Sequence, residues 1–316
     1  MSSLLFSLNC TMPVFLTMMA GFLFRKLKWM DEAFASKINS LVFKILLPVM
    51  LFLQIGGTDF KDSWDGGFVL YCFLVTFASI FLAFLLSFLF KSVPERGEFI
   101  QAAYRSSASI LGMAYIGNIY GDSAMGPLMM IGAVPVYNVM AVFILMATSE
   151  EALSASSRGG VMKKTLVGVI KNPIILGILF GMVWSLLGVP MPQILHKTLS
   201  NIAQTATPMG LLAMGASIDP KKVSGELLPS ILASFMKLVG LELLFLPLAV
   251  HLGFRTQKLV AILVMLGSPT TVTSFVMAKS MGHEGTLTSN TVVITTFLSA
   301  FTLTFWVFLV KTMGLI

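Results

Sequence analysis

The chain has 316 residues, of which 56% are hydrophobic and only 11% charged, and its mean hydropathy is +0.90. A soluble domain carries about 25% charged residues, so an ordinary soluble fold is excluded. The 21 Lys and Arg outnumber the 14 Asp and Glu, for a net charge of +7. They cluster between apolar runs of roughly 20 residues, the length that crosses a hydrocarbon core of about 30 Å. The even alternation of an outer-membrane barrel is absent.

The pattern predicts an all-α polytopic membrane protein with ten transmembrane helices, at 4–24, 38–56, 66–90, 99–120, 125–147, 165–187, 193–217, 226–250, 258–281 and 287–310. The first run begins at Leu4 with no Lys or Arg before it, so it reads as a permanent span and not as a signal peptide. Cys10 and Cys72 both fall in apolar runs and imply no disulfide framework. Connections are short. The longest polar stretch, Thr148 to Lys164, separates 1–147 from 165–316, five spans each, and is expected to be a cytoplasmic linker loop over 148–164.

Orientation follows from Lys and Arg in alternate loops, because cytoplasmic loops carry the excess. One side holds 13, from Arg25, Lys26, Lys28 and Lys37 through Lys91, Arg96, Arg158, Lys163, Lys164 and Lys171 to Lys221, Lys222 and Lys279. The other holds 5: Lys61, Lys197, Arg255, Lys258 and Lys311. Both termini are therefore expected outside the cytoplasm. The positive charge is mainly a topology signal and gives no support to nucleic-acid binding.

A shift of 160 residues superposes Pro13 on Pro173, Gly21 on Gly181, Lys37 on Lys197, Ser40 on Ser200, Pro48 on Pro208, Asp59 on Asp219 and Lys61 on Lys221. Five spans is an odd number, so the second set must enter the membrane from the opposite side. Two inverted five-helix repeats are expected, a plan that puts a transport site near the midplane where helices are interrupted. Two runs at equivalent places offer such interruptions: Arg105-Ser106-Ser107-Ala108-Ser109-Ile110-Leu111-Gly112 in span 4, and Gly267-Ser268-Pro269-Thr270-Thr271-Val272-Thr273 in span 9. Pro269 removes one helical N–H and frees a carbonyl, and exposed half-helix N-termini attract anions. Small and hydroxyl residues also let membrane helices pack closely; their pairing in matching positions of the two halves favours a site.

Several stretches resemble the auxin efflux carrier family, which includes bacterial malate and malonate permeases and the plant PIN exporters. Ile38-Asn39 followed by Val42 and Pro48 is similar to the family's second helix. Tyr104-Arg105 through Gly112 to Gly121 resembles its aromatic-Arg-x-Asn-x-x-x-x-Gly-x-Pro pattern in helix 4, Lys171-Asn172-Pro173 opens the second half as in the family, and Ser268-Pro269-Thr270 with Ala278 and Gly282 resembles the helix 9 crossover. Ser107 stands where the family often has Asn, Ala114 where it has Pro, and Ser106 where PIN proteins have a crossover Pro. The resemblance implies a fold like the sodium/proton antiporters and bile-acid symporters, with broken helices 4 and 9 crossing between a scaffold and a transport domain. It implies that Leu47 and Leu51, around Pro48, line the pocket, and it makes a homodimer plausible. Asn138, preceded by Pro135 and Tyr137, is a further candidate.

Ionisable groups inside spans are expensive in lipid. Arg105 has two readings, attraction of a substrate carboxylate or anchoring at the cytoplasmic end. Lys44 reads as a snorkelling side chain. Lys237 and Glu242, five residues apart, are about 140° apart around a helix and make no i,i+4 pair. Pairing of each with other helices is the first reading. Glu242 is also the most central acid and a candidate proton carrier. Enzyme signatures are missing: His196, His251 and His283 lack metal-ligand spacing, and no GxxxxGK[ST] pattern occurs. No cofactor is expected beyond proton or sodium coupling.

The expected function is secondary transport of a small organic anion, a carboxylate such as malate, malonate or an auxin-like acid, by alternating access of an elevator-like crossover domain. Arg105, Ser106, Ser107, Asn138, Ser268, Pro269, Thr270 and Thr271 would coordinate the polar group, and Leu47 and Leu51 the apolar part. A ligand sensor without transport and a sodium-coupled organic-anion symporter remain the alternatives. The compact loops point to a bacterial inner membrane.

Overall fold

The computed structural model describes residues 2–57, 65–108, 116, 119, 120, 125–150, 167–218 and 225–316, and for 2–11 the backbone alone. Ser109 to Gly112, Ala114, Gly121, most of the linker loop and the matched pairs Asp59/Asp219 and Lys61/Lys221 lie outside the described residues.

All regular structure among the described residues is helical. In chain order the helices are α1 (Ser2–Lys26), α2 (Glu32–Gly56), α3 (Gly66–Ser87), α4 (Val93–Tyr104), α5 (Met125–Thr148), α6 (Pro173–Leu187), α7 (Gln193–Gln204), α8 (Ala206–Ser217), α9 (Leu227–His251), α10 (Thr256–Gly267), α11 (Val272–Ser280) and α12 (Thr286–Thr312). Starts carry ordinary caps: Asp31 accepts from Phe34 N at 2.7 Å, Asp65 from Phe68 N at 3.0 Å and Asn172 from Ile174 N at 2.9 Å, with Pro173 in the first turn of α6.

Helices α2, α3, α5, α9 and α12 are each long and apolar enough to span a membrane, and α10 with α11 forms a pair bent by 41° at their break. Large apolar side chains such as Leu70, Phe81, Phe180 and Phe235 are exposed on the outside, where lipid is the solvent. Hydroxyls inside the spans bond back to their own helix, as Thr76 does to Cys72 O at 2.7 Å and Ser79 to Val75 O at 2.8 Å, so they are satisfied without water.

Prolines explain two of the irregular turns. Pro48 has no N–H for the Lys44 carbonyl, and the helix just before it widens to a π turn, Val42–Leu46, closed by Leu47 N on Val42 O. Pro208 likewise lacks the N–H that Gln204 would need, and the predicted span 193–217 is divided at Thr205 into α7 and α8. A second π turn, Met236–Gly240, interrupts α9; the Leu238 carbonyl there accepts from Trp306 Nε1 at 3.0 Å.

The helices fall into two packing groups. One joins α1 to α8, α6 and α7 to α2, and α2 to α8. The other joins α3, α4, α5, α9, α10 and α12. Glycines permit the closest approaches in the first group: the face of Gly21 lies on the Leu212 carbonyl, and that of Gly181 on the Phe52 backbone. Gly21 and Gly181, like Phe52 and Leu212, are 160 positions apart. Helix α1 bridges the groups, packing on α12 as well as on α8, and so does helix α11. Helix α11 packs on α8 and α2 as well as on α12 and α5, and Asn39 Nδ2 donates to Val276 O at 3.2 Å and Ser280 Oγ at 3.1 Å.

Candidate functional site

Helix α4 ends at Tyr104 and α10 ends at Gly267, and both chains continue as extended backbone. Arg105 has φ −69°, ψ 135° and Ser268 has φ −64°, ψ 148°. Thr271, at φ −71°, ψ 143°, leads into α11. The two extended stretches bond to each other. Ser107 N donates to the Pro269 carbonyl at 2.9 Å, and Ser106 Oγ to the Ser268 carbonyl at 3.4 Å. Backbone groups released by the helix ends are thus partly satisfied across the crossing, as buried backbone requires.

Neighbouring side chains complete the framework. Thr270 Oγ1 donates to Ala102 O at 2.8 Å, while Thr270 N donates to Thr295 Oγ1 at 3.0 Å. Gln101 Nε2 donates to Ser274 O at 3.0 Å. Gln101 and Thr295 were not foreseen. Thr295 belongs to a stripe of hydroxyls on α12, with Thr288, Thr291 and Ser299, whose i, i+3, i+4 spacing was visible in the sequence.

Arg105 is 2% exposed. Its Nη2 donates to Asn138 Oδ1 at 2.8 Å and its Nη1 to the Met277 sulfur at 2.7 Å. Asn138 Nδ2 donates in turn to Val134 O at 2.9 Å, and the phenol of Tyr104 to Tyr137 O at 3.0 Å. Among the described residues no carboxylate pairs with this guanidinium. Arg105 Nε, Ser268 Oγ and Ser274 Oγ are buried without partners. Such an uncompensated charge in an apolar interior favours an incoming anion.

Of the predicted residues, Arg105, Ser106, Ser107, Asn138, Ser268, Pro269 and Thr270 therefore share one hydrogen-bonded framework. Thr271 bonds only locally, to Thr273 Oγ1 at 3.3 Å. Leu47 and Leu51 are buried in α2. A cavity of about 250 Å³, lined by Gln54, Phe73, Met130, Val134, Pro135 and Met182 among others, lies one helical turn along α5 from Asn138. A larger one, about 500 Å³, opens between α1, α2, α7 and α8 around Thr17, Met50, Gln204, Pro208 and Leu211. Neither is lined by Leu47 or Leu51.

This combination of apolar spans, a broken crossing and a buried guanidinium agrees with what the whole sequence matches. A family model described as membrane transport protein covers residues 7–307. The chain belongs to this family, the auxin efflux carriers. It is 26% identical over 291 residues to a protein of Rhizobium meliloti (strain 1021) named "Putative malonate transporter", covering 87% of this chain and 86% of that one. It is 23% identical over 257 residues to the "Uncharacterized transporter YfdV" of Escherichia coli (strain K12), covering 79% of this chain and 81% of that one.

In this family member two further buried ionisable side chains converge on the end of α10. Lys237, in the π turn of α9, donates its ammonium to the Leu266 carbonyl. The Glu242 carboxylate lies against Gly267, and both its oxygens are buried without a hydrogen-bond partner. Lys237 thus bonds to another helix, while Glu242 finds no hydrogen-bond partner there. No group of three His, Cys, Asp or Glu among the described residues is arranged to hold a metal ion.

Proposed function

We propose that this family member is a secondary carrier for a small organic anion, a carboxylate of the malonate or malate kind. The observation that carries this reading is the fully buried Arg105 guanidinium beside the crossing, held by Asn138 and Met277 and matched by no carboxylate of the described chain. A carboxylate would complete the charge, with the Ser268 hydroxyl as a further donor. The cavity along α5 offers apolar walls for the rest of the molecule.

Residues 1–147 and 165–316, joined by the 148–164 loop, form two inverted five-helix repeats in this reading. The matched glycine contacts of Gly21 with Leu212 and Gly181 with Phe52 support it. The group containing α1, α2 and α6 to α8 is the scaffold, and the group built on α4, α10 and α12 carries the site past it. Ser107 N on Pro269 O makes the two broken spans one moving unit. Both termini face away from the cytoplasm, and Glu242 is the coupling candidate within the spans.

The test is counterflow in proteoliposomes loaded with malonate, malate, succinate, 2-oxoglutarate or indole-3-acetate, with and without sodium and a pH gradient. Saturable exchange of one acid, lost in Arg105→Gln, supports the carrier. Exchange that survives Arg105→Gln with an unchanged KM removes Arg105 as the anion's partner.

A further inference from the structure

The two packing groups meet differently at the two ends of the spans. At the end where α1 stops and α2 and α4 begin, which carries most of the Lys and Arg, a side chain pins them together. Asn39, in α2 and 4% exposed, donates through Nδ2 to the Val276 carbonyl at 3.2 Å and to Ser280 Oγ at 3.1 Å, both on α11. Its Oδ1 is buried without a partner. Beside it, α8 approaches α11 so closely that a Cβ on Gly210 would stand 3.3 Å from a methyl of Val272 and of Val276. In the other half of the spans the same groups stand apart. There the cavity of about 250 Å³ separates Gln54 and Ile55 of α2 and Met182 of α6 from Phe73 of α3 and Met130 and Val134 of α5.

Neither helix needs these bonds to form. Asn39 lies within α2 and Val276 within α11, and each helix closes its own backbone. The amide therefore acts only on how α2 and α11 lie against each other. A buried amide is costly when unbonded, so the contact is specific to this packing. Neutral hydrogen bonds are still weak enough to be made and broken repeatedly. The link also reaches the Arg105 framework within one residue. Met277, next to Val276, places its sulfur on Arg105 Nη1 at 2.7 Å, and Gln101 of α4 donates to Ser274 O at 3.0 Å. Helix α11 is fastened to that framework on one side and to α2 on the other.

We propose that Asn39 is a latch between the two groups. Its bonds to Val276 and Ser280 hold the basic face closed while the opposite half stands open, and they break when α11 and the Arg105 framework move past α2. Asn39 is a positioning residue that acts through α11 and does not touch the anion. The motion it restrains rests on the carrier reading above; the closed contact does not.

The test uses the full-length protein in detergent, with Cys10→Ser in every variant. Val276→Cys puts a thiol where the native side chain is 1% exposed, and native Cys72, buried in α3, is the internal control. Labelling of both thiols by N-ethylmaleimide is followed by mass spectrometry of their peptides. Asn39→Leu keeps the bulk and removes both bonds. In that background the introduced thiol is expected to react about tenfold faster, with Cys72 unchanged. Ser280→Ala removes one bond and should give a smaller rise, which keeps the comparison available should Asn39→Leu fail to fold. An unchanged rate at the introduced thiol, or a parallel rise at Cys72 from general loosening, overturns the proposal. Asn39→Cys with Ser280→Cys then joins α2 to α11 on oxidation, the bridge being verified by mass. Malonate counterflow is expected to stop in the oxidised protein and to return on reduction; exchange at full rate through the bridge overturns the latch. Faster labelling in Asn39→Leu, from a wild type that exchanges no malonate, leaves the latch standing and removes the malonate reading.

Discussion

Lys237 and Leu266 are joined across α9 and α10, the lysine ammonium donating to the last but one carbonyl of α10 before the chain breaks. That carbonyl lacks a helical partner because the extended turn carries the Thr270 N–H away to Thr295 Oγ1. The cation also meets the negative end of the α10 dipole. Glu242 approaches the same place from the next turn of α9, against Gly267. The broken end of α10 thus meets two buried ionisable side chains of α9.

Removing Lys237 leaves the buried Leu266 carbonyl without its donor. Lys237→Met is expected to destabilise the protein by about 1–3 kcal/mol, the range for leaving a buried acceptor without its partner. The double variant Lys237→Met with Glu242→Leu is expected to recover part of this loss, since it also removes the two unpartnered Glu242 oxygens. Thermal unfolding in detergent reads both. A double variant as unstable as the single one would show that the two side chains act independently.

Arg105 is expected to tolerate no cation of different shape. Its two terminal nitrogens reach Asn138 and Met277 in different directions, and a lysine supplies a single point charge instead of a planar fork. Arg105→Lys should raise the KM for the transported anion at least about tenfold, as loss of one charge-assisted hydrogen bond implies. Asn138→Ala should act in the same direction and add little in the Arg105→Lys background, because the two side chains form one unit. Equal and additive effects would contradict the shared framework.

Thr295 fixes the crossing through one hydrogen bond to the Thr270 amide. Thr295→Val preserves shape and removes the acceptor, leaving a buried N–H. The expected loss is about 1–3 kcal/mol of stability. Thr295→Ser should retain most of the wild-type value. Amide exchange at Thr270 is the direct readout, faster in the valine variant alone.

Some of this was legible in the sequence because it depends on local chemistry. Pro269 announced the break between α10 and α11 by its missing N–H, and the hydroxyls around it marked the crossing. The break after Tyr104 had no proline and was visible only through its resemblance to the partner run. The division at Thr205 was hidden, although Pro208 stood in plain view, because the broken hydrogen bond lies one turn upstream of the proline. The partners of Asn39, Gln101 and Thr295 escaped for another reason. Each of these residues serves a backbone group more than 20 residues away, 237 in the case of Asn39 and Val276, and hydrophobic periodicity carries no information on such partners. Arg105 was found by position, but its role became readable only with its partners.

The starts of α3 and α10 carry a pH-dependent contact of their own. Asp65 pairs with Lys258 there, joining the starts of α3 and α10. The hydrogen bond from Lys258, then that from the Phe68 amide, holds the Asp65 carboxyl below the usual carboxylate range. With the folded value below the unfolded one, this contribution is present above the unfolded aspartate value of about 3.9 and is lost as pH falls through the folded value. Asp65→Asn retains a good helix cap and removes the charge alone. Its cost at neutral pH is expected to be no more than about 1 kcal/mol, because both side chains are partly exposed and salt screens the pair. The cost should shrink in about 1 M salt and vanish at the acid end of the profile. Stability measured against pH in the wild type and in Asp65→Asn checks this, and a loss that grows on acidification would show that the aspartate acts through its cap and not through Lys258.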